Sequence, residues 1–411
     1  MKMKLACMIM IKLIIFSLAG TGLAGESIKI GTPLALTGPY AGDGVSYFRG
    51  IKMAVDEINE AGGLLGRQIE IVKFDTQDFA PERVMQAADT LIRSERVHVL
   101  HAGWAGWGQD VRAYGKYNVP TFVFNGSLNS VLVYRSNKKK YSNWFHLTDI
   151  EKNFSIDEAF VMKNLPYEFP NRKLAIIATD DSWGTEIAKG LVDNAKDAGW
   201  EVVMKEVVPY GTMKWEPLLT KIRRLKPGWI KVEIASAPES NAFLRQFLKS
   251  PTQSLLHLGY GAVLEDFLSN SGKEAEGVIA SNALAIPEPY PTPEAEAWVN
   301  NYIKRFGSSP RTNSLPVYTG VKFWAEAVEK VGKVDDYEAI NAYVANNKFK
   351  TVEGRMIQFD EDHKIPVTSW PGNTMQVQDG KLVTLFLSAK DRKNPTPYKT
   401  NKFHIPPWIK R

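Results

Sequence analysis

Residues 28–63 have the sequence IKIGTPLALTGPYAGDGVSYFRGIKMAVDEINEAGG, which predicts a β-strand followed by a helix. The strand is the short alternating segment at residues 28–32. After Ser46 the apolar residues recur at spacings of three and four, as on one face of a helix: Phe48, Ile51, Val55 and Ile58. The glycines at 62 and 63 end this helix, because glycine tolerates the left-handed backbone at a helix C-terminus.

The same rhythm continues on both sides of a basic, aromatic segment at residues 136–149. Before this segment, strands are predicted at residues 68–74, 97–101 and 120–124, with helices at 81–94 and 109–117. After it, strands at residues 174–178, 202–206 and 229–234 alternate with helices at 185–198, 215–225 and 240–249. This alternation predicts parallel sheets with helices on both faces. Two consecutive runs indicate an α/β protein with two doubly wound parallel-sheet lobes.

The last part of the chain has a different character. Helices are predicted at residues 294–306 and 317–331, and a strand pair is expected from Met356 onward. The last 24 residues are rich in lysine and proline, so we expect them to be extended and weakly packed.

The first residues have the features of a secretory signal peptide. Lys2, Lys4 and Lys12 form a basic start, residues 9–11 and 13–16 are apolar, and small residues follow up to Ala24. The run is too short for a spanning helix, which needs about 20 residues. We expect export and cleavage of residues 1–24, with Ala19 as the alternative cleavage position and a retained membrane anchor as the alternative outcome. The only cysteine, Cys7, precedes the apolar run, so no lipid anchor or disulfide is expected in the mature chain.

Composition and charge disfavour several classes of protein. The chain is 44% hydrophobic and 23% charged, as ordinary globular proteins are. Its formal net charge of +6 falls to +3 without the leader lysines. Much of the excess positive charge lies at residues 138–140 and 390–411. A solvated loop and a solvated tail explain this charge more simply than nucleic-acid binding does. We expect no nucleic-acid partner, and a periplasmic protein that is soluble.

Motifs that mark enzymes are scarce. No G-x-S-x-G, H-E-x-x-H or G-x-x-x-x-G-K-[ST] motif occurs. His98 and His101 would point to opposite faces of a strand, which disfavours a metal site. Asp180-Asp181 could be a catalytic carboxylate pair, but its place between a strand and a helix favours helix capping. We expect a non-enzymatic protein with no cofactor or metal, and a secreted enzyme is the alternative.

Candidate binding residues lie where the predicted strands end. Ligands of open doubly wound sheets bind beyond the carboxyl ends of the strands. The loops at these ends carry five aromatic residues: Tyr40, Trp104, Trp107, Trp183 and Tyr260. A single ring could belong to the core, but five such rings in two sheets predict a cleft for a small ligand. The backbone of the glycine-rich loop GWAGWG, residues 103–108, is expected to approach that ligand.

Five motifs occur in a recognisable order. They are TGP at residues 37–39, NEAGGLLGR at 59–67 leading to Asp75, DSWG at 181–184, AEGV at 275–278, and the segment from Tyr302 through Phe306-Gly307 to Pro310. Together they resemble the leucine/isoleucine/valine-binding family of periplasmic ABC-importer proteins over residues 28–370. The resemblance implies a type I periplasmic-binding-protein fold, with three crossovers between two lobes that close on a ligand. It also implies docking on a membrane permease, and we expect a monomer.

The resemblance implies boundaries for the two lobes. Lobe one would contain residues 25–147 and 278–366, and lobe two residues 148–277 and 367–411. The third crossover would lie near Pro366. A ligand-sensing receptor component on the same fold is the alternative.

The family's ligand contacts carry over only in part. The family's contacts to an α-carboxylate would correspond to Ala105-Gly106 and Asn125-Gly126-Ser127 in this sequence. A serine is usual at the first of these two places. In lobe two, Trp183 stands where a tyrosine is usual, and Ser236 lies in another strand-end loop. The usual glutamate partner of an α-ammonium falls on Gly261, beside Tyr260. Asp43 is a substitute anchor, and a slip in the alignment would bring in Glu265.

These departures predict the ligand class. An ammonium group without a charged partner is costly to bury, so leucine, isoleucine and valine are expected to bind poorly. We expect a flat, partly apolar ligand, and Asp43 and the ring faces would attract it if it were a cation. An ordinary amino-acid-binding transport protein is the alternative.

Overall fold

A five-stranded parallel sheet forms the first half of the chain. The computed structural model describes residues 26–38, 40–104, 106–282, 284–366, 369, 372–387 and 403–410. The strands of the first sheet are β1 (Ile28–Leu34), β2 (Ile69–Asp75), β3 (Val99–Ala102), β4 (Thr121–Val123) and β5 (Trp144–His146). Their order is β2-β1-β3-β4-β5, so the order reverses between β1 and β3.

The second sheet repeats this order and adds an antiparallel pair. Its parallel strands are β6 (Lys173–Thr179), β7 (Glu201–Val208), β8 (Trp229–Glu233), β9 (Leu255–Leu258) and β10 (Ile279–Ser281). A small hairpin, β11 (Phe349–Lys350) and β12 (Met356–Ile357), precedes the antiparallel strands β13 (Asn373–Gln378) and β14 (Lys381–Leu387). The sheet order is β14-β13-β10-β9-β8-β6-β7. Strands β6, β8 and β9 are almost wholly buried, as expected where helices cover both faces of a parallel sheet.

Twelve α-helices are found in the described residues. In the first half they are α1 (Ala41–Glu60), α2 (Pro81–Ala88), α3 (Gln109–Tyr114), α4 (Leu128–Ser136), α5 (Ser155–Asn164) and α6 (Ser182–Asp197). The others are α7 (Glu216–Leu225), α8 (Ala237–Leu248), α9 (Glu265–Ser271), α10 (Pro293–Phe306), α11 (Ser314–Val331) and α12 (Tyr337–Asn346). A π-helical segment, Asp89–Ser94, continues α2. None of the described helices is long and apolar enough to cross a membrane.

Helix α11 packs closely on α1 and so belongs with the first sheet. A Cβ at Gly50 would lie 2.1 Å from the carbonyl oxygen of Ser314, so only glycine allows this approach. The hydroxyls of Ser46 and Ser314 lie 3.0 Å apart, and Tyr318 donates to Glu57 at 2.6 Å. This contact holds Asn313, the residue before α11, against the start of α1.

Three segments cross between the sheets, and the predicted fold class is confirmed. The first follows β5. The second follows β10 at Asn282. The third begins near Lys364, which forms a β-bridge with His146 at the end of β5, and it ends at Asn373, the first residue of β13. The second and third are hydrogen-bonded to each other, because the backbone N–H of Asn282 donates to the carbonyl of Asn373 at 2.7 Å. These adjacent segments have the arrangement of a hinge.

The structure changes one predicted boundary. Strand β10 pairs with β9 and β13, so Ile279–Ser281 belongs to the second sheet, whereas the sequence placed residues from 278 onward in lobe one. The motif at 275–278 leads directly into this strand, which is why the crossover was placed too early. We propose that the second lobe extends to Ser281 and that the first lobe resumes at Asn282. Hereafter, first and second lobe mean the first and second sheet with the helices packed on each.

The prediction of a weakly packed C-terminal tail is wrong for residues 403–410. Trp408 is buried against Phe247, and its indole N–H donates to the carbonyl of Ser254 at 3.0 Å. Aromatic burial overrides the lysine- and proline-rich composition of this segment. The predicted signal peptide at residues 1–24, Pro39, Ala105 and residues 388–402 lie outside the described residues.

Candidate ligand-binding site

A cavity lies between the two lobes, and both contribute to its wall. Its empty space is about 1120 Å³, part of which is open to solvent. It is lined from the first lobe by Trp104 and Asn125, from the second by Trp183 and Tyr260, and from the crossing segments by Asn282 and Asn373. Small-molecule sites are concave spaces of this order, apolar in most of their lining and with a few polar groups.

Three aromatic rings from both lobes meet at one side of the cavity. Trp104 follows β3, Trp183 lies in the first turn of α6, and Tyr260 follows β9. The ring centroids are 6.3 Å apart for Trp104 and Trp183, 5.6 Å for Trp104 and Tyr260, and 5.2 Å for Trp183 and Tyr260. All three pairs are edge-to-face, an arrangement that stabilises aromatic contacts.

Helix capping fixes the position of Trp183. The side chain of Asp181 accepts a hydrogen bond from the backbone N–H of Gly184 at 2.7 Å, which confirms the capping interpretation. The backbone at Gly126 lies close to this ring, since a Cβ there would lie 2.8 Å from the ring of Phe154 and 3.5 Å from the indole nitrogen of Trp183.

A polar bridge joins the lobes beside the rings. The hydroxyl of Tyr260 donates to Asp43 Oδ1 at 2.7 Å, and the amide of Asn313 donates to the same oxygen at 2.6 Å. The Asn313 amide also lies 2.7 Å from the Tyr260 hydroxyl oxygen. Burial raises the pKa of Asp43 to about 7, while its hydrogen bonds act in the opposite direction. Asp43 is therefore an anchor for Tyr260 of the second lobe and lies outside the cavity wall.

A buried ionic group forms another part of the wall. Lys231 and Glu233 project to the same face of β8, as residues two apart on a strand do. The ammonium of Lys231 pairs with Glu233 at 2.7 Å and with Glu158 of α5. Burial alone would lower the pKa of Lys231, but these two carboxylates raise it, so Lys231 stays charged. The backbone N–H of Tyr260 donates to the other oxygen of Glu233 at 3.0 Å.

A second ion pair reaches the cavity from the hairpin of β11 and β12. Glu353 lines the cavity and accepts from Arg355 at 2.6 Å. Burial raises the pKa of Glu353 and lowers the pKa of Arg355. Among the described residues, no group of three or more histidine, cysteine, aspartate or glutamate side chains could hold a metal ion.

Five of the predicted site residues line this cavity. They are Trp104, Asn125, Gly126, Trp183 and Tyr260. Two hydroxyls predicted to bind ligand cap helices instead, since Ser127 accepts from the Ser130 N–H at 3.1 Å and Ser236 from the Glu239 N–H at 3.4 Å.

The other predicted residues pack around the site. Tyr40 lies against Phe79 and Tyr210, and Trp107 lies edge-on to Phe79. Neither Gly106 nor Gly261 lines the cavity. Gly106 has a left-handed backbone, and Gly261 is in close contact with Ser240. Ala105 lies outside the described residues.

Few signals in the sequence indicate that Glu158, Glu233 and Glu353 line the cavity. Glu233 had a usable signal, because charged residues two apart in a buried strand need a shared partner. Glu158 and Glu353 had none, since their neighbours along the chain resemble any solvated helix face or turn.

Comparison with known proteins agrees with this architecture. The family profile described as "Periplasmic binding protein" matches residues 27–381. The chain belongs to the periplasmic binding protein family. It is a solute-binding protein of ABC transport, and the family is one of transport proteins rather than of enzymes.

This periplasmic binding protein is similar to several characterised chains. The Leu/Ile/Val-binding protein homolog 7 of Brucella suis is 29% identical, over 90% of this chain and 94% of the relative. A structure from Silicibacter pomeroyi, named as a candidate branched-chain amino acid ABC transporter, is 27% identical with a TM-score of 0.79, covering 93% of this chain and 100% of that chain. A solute-binding protein from R. palustris in complex with benzoate shares the fold, at 20% identity and a TM-score of 0.73, covering 88% of this chain and 96% of that chain.

Proposed function

We propose that this protein is exported, captures a small organic solute in the cavity between its lobes, and delivers it to the permease of an ABC importer. The observation that carries the proposal is the cluster of Trp104, Trp183 and Tyr260, which brings rings from both lobes to one cavity. Because neither lobe forms this cluster alone, a ligand that contacts it stabilises the closed form and opposes reopening.

The ligand has a flat, partly apolar part and is not a plain branched-chain amino acid. Rings set edge-to-face leave their remaining faces for stacking, and each buried face contributes about 0.5–1.5 kcal/mol beyond its area. The expected carboxylate anchor is weak here, because the hydroxyl of Ser127 is buried and Ser127 does not line the cavity. A leucine carboxylate would therefore rely on Asn125 and the backbone near Gly126.

Calorimetry on the Trp183→Ala variant tests the proposal, with an aromatic solute found by thermal-shift screening. Affinity is expected to fall at least tenfold, because one ring face of the cavity is lost. Trp200→Ala is the matched control, since Trp200 packs on Phe169 and Trp229, does not line the cavity and should change affinity much less. Unchanged affinity in a folded Trp183→Ala protein, or leucine binding in the micromolar range, would contradict the proposal.

A further inference from the structure

Part of the cavity wall is acidic. Four carboxyl side chains line it, Asp157, Glu158, Glu233 and Glu353, and the described lining residues include no lysine, arginine or histidine. These carboxyl groups come from a helix, a strand and a hairpin that are far apart in the sequence. The fold therefore gathers them at one cavity.

The cations behind this wall do not balance it. Lys231 is shared by Glu158 and Glu233, and Arg355 pairs with Glu353. His257 lies 3.4 Å from the Lys231 ammonium, but burial and that charge lower the pKa of His257 well below its ordinary value, so it is neutral. Among the described residues, Lys231 and Arg355 thus pair with three glutamates, Glu158, Glu233 and Glu353, which leaves one negative charge in excess at this wall.

Several acceptor atoms on this wall have no hydrogen-bond donor among the described residues. They are Oε2 of Glu158, Oε2 of Glu353 and Oδ1 of Asn373, and each side chain is more than nine-tenths buried. A buried acceptor without a donor costs about 1–3 kcal/mol, and a charged one costs more. A ligand with several N–H groups would satisfy these atoms.

We propose that the ligand is an organic cation, with an ammonium, amidinium or guanidinium group against Glu158 and Glu353 and its flat part against the aromatic cluster. This inference rests on the proposed function. The wall provides both charge compensation and acceptors, which a buried cation requires. The rings of Trp104 and Trp183 add an attraction for cations over their faces.

An organic cation fits better than a metal ion or an anion. The described acidic residues do not converge into a metal-binding group. A carboxylate ligand would meet the negative wall with no cation among the described lining residues. Burial raises the pKa of Glu158 and of Glu353 although a cation lies beside each, so a ligand cation would further stabilise their charged forms.

Three near-isosteric probes separate charge from shape: benzamidine, benzamide and benzoate. Calorimetric titration of the exported protein should show benzamidine binding at least tenfold more tightly than benzamide, with benzoate weakest. Tighter binding of benzamide or benzoate would overturn the cation inference but leave the proposed capture of a flat solute intact. No binding of benzamidine would also overturn it, and leucine binding alone would overturn both proposals.

A single substitution tests whether the carboxylate of Glu158 binds the cationic group of the ligand. Glu158→Gln removes one carboxylate, while Glu233 still pairs with Lys231. Benzamidine affinity should fall at least tenfold and benzamide affinity should change little. The matched control is Glu168→Gln, which removes an exposed carboxylate and should alter neither titration. Circular dichroism establishes that each variant is folded. Equal losses for benzamidine and benzamide would show that Glu158 acts through structure alone and would overturn its assignment.

Discussion

The bridge between Asp43 and Tyr260 gives a prediction about closure. Replacing Tyr260 with phenylalanine removes the hydroxyl that donates to Asp43 at 2.7 Å and keeps the ring beside Trp104 and Trp183. Hydrogen bonds to charged groups contribute about 1.5–3 kcal/mol to stability. Since the bond joins the lobes, this energy is lost from the closed form. Ligand affinity follows the population of the binding-competent form, so it should fall about tenfold to a hundredfold.

Calorimetry above pH 7 measures this effect, because Asp43, whose pKa is about 7, is then largely ionised. Tyr318→Phe is the matched control. It removes a hydroxyl that donates to Glu57 at 2.6 Å, but both residues belong to the first lobe. The control should lower thermal stability and leave affinity nearly unchanged. Equal affinities for wild type and Tyr260→Phe, or an equal loss in Tyr318→Phe, would refute the assignment of the bridge to closure.

Three further predictions concern the wall, the tail and pH. Gly259→Ala should weaken cation binding at least tenfold, because the added Cβ would lie 2.0 Å from the Glu233 carboxylate and would displace it. An unchanged benzamidine titration would contradict this prediction. Trp408→Ala should destabilise the protein by about 3–5 kcal/mol in urea unfolding, as buried Trp→Ala changes do; a loss below about 1 kcal/mol would mean that the tail packs weakly. Burial raises the pKa of Glu151 to about 8, so Glu151 binds a proton on folding and its stabilisation is lost as pH rises towards 8. In melting curves, Glu151→Gln should therefore lose less stability than wild type from about pH 5 to 8, and parallel curves would contradict this.

Much of the fold was predictable because its signals are local. Of the predicted apolar positions, Ile51, Val55 and Ile58 lie on the buried face of α1, and Phe48 is half-buried. The apolar run of β6 marks a strand covered on both sides. The boundary at β10 was missed because its three residues pair with β13, nearly a hundred residues further along the chain. Pairing over that distance leaves no mark in local periodicity.

The candidate site was predictable in its aromatic residues and at Asn125 and Gly126, but not in its carboxyl groups. Strand ends pointed to Trp104, Trp183 and Tyr260 because ligands of such sheets bind there. Ser236 begins the pattern Ser-x-x-Glu with Glu239, which favours capping, and the structure shows that role. Glu158 and Glu353 could not be found, since only the fold brings a helix and a distant hairpin to the same cavity.

A thermal-shift screen of the purified protein tests capture of a flat solute between the lobes most directly. The screen should cover amino acids, amides, aromatic acids and aromatic amines or amidines. A ligand at about 100 times its dissociation constant stabilises the folded form by about 2.7 kcal/mol, which raises the melting temperature by several degrees. We expect a flat cationic solute to give the largest rise, and we expect Trp183→Ala, with its at least tenfold loss of affinity, to reduce that rise by about half or more. A rise with leucine, isoleucine or valine alone, or an undiminished rise in Trp183→Ala, would contradict capture between the aromatic rings.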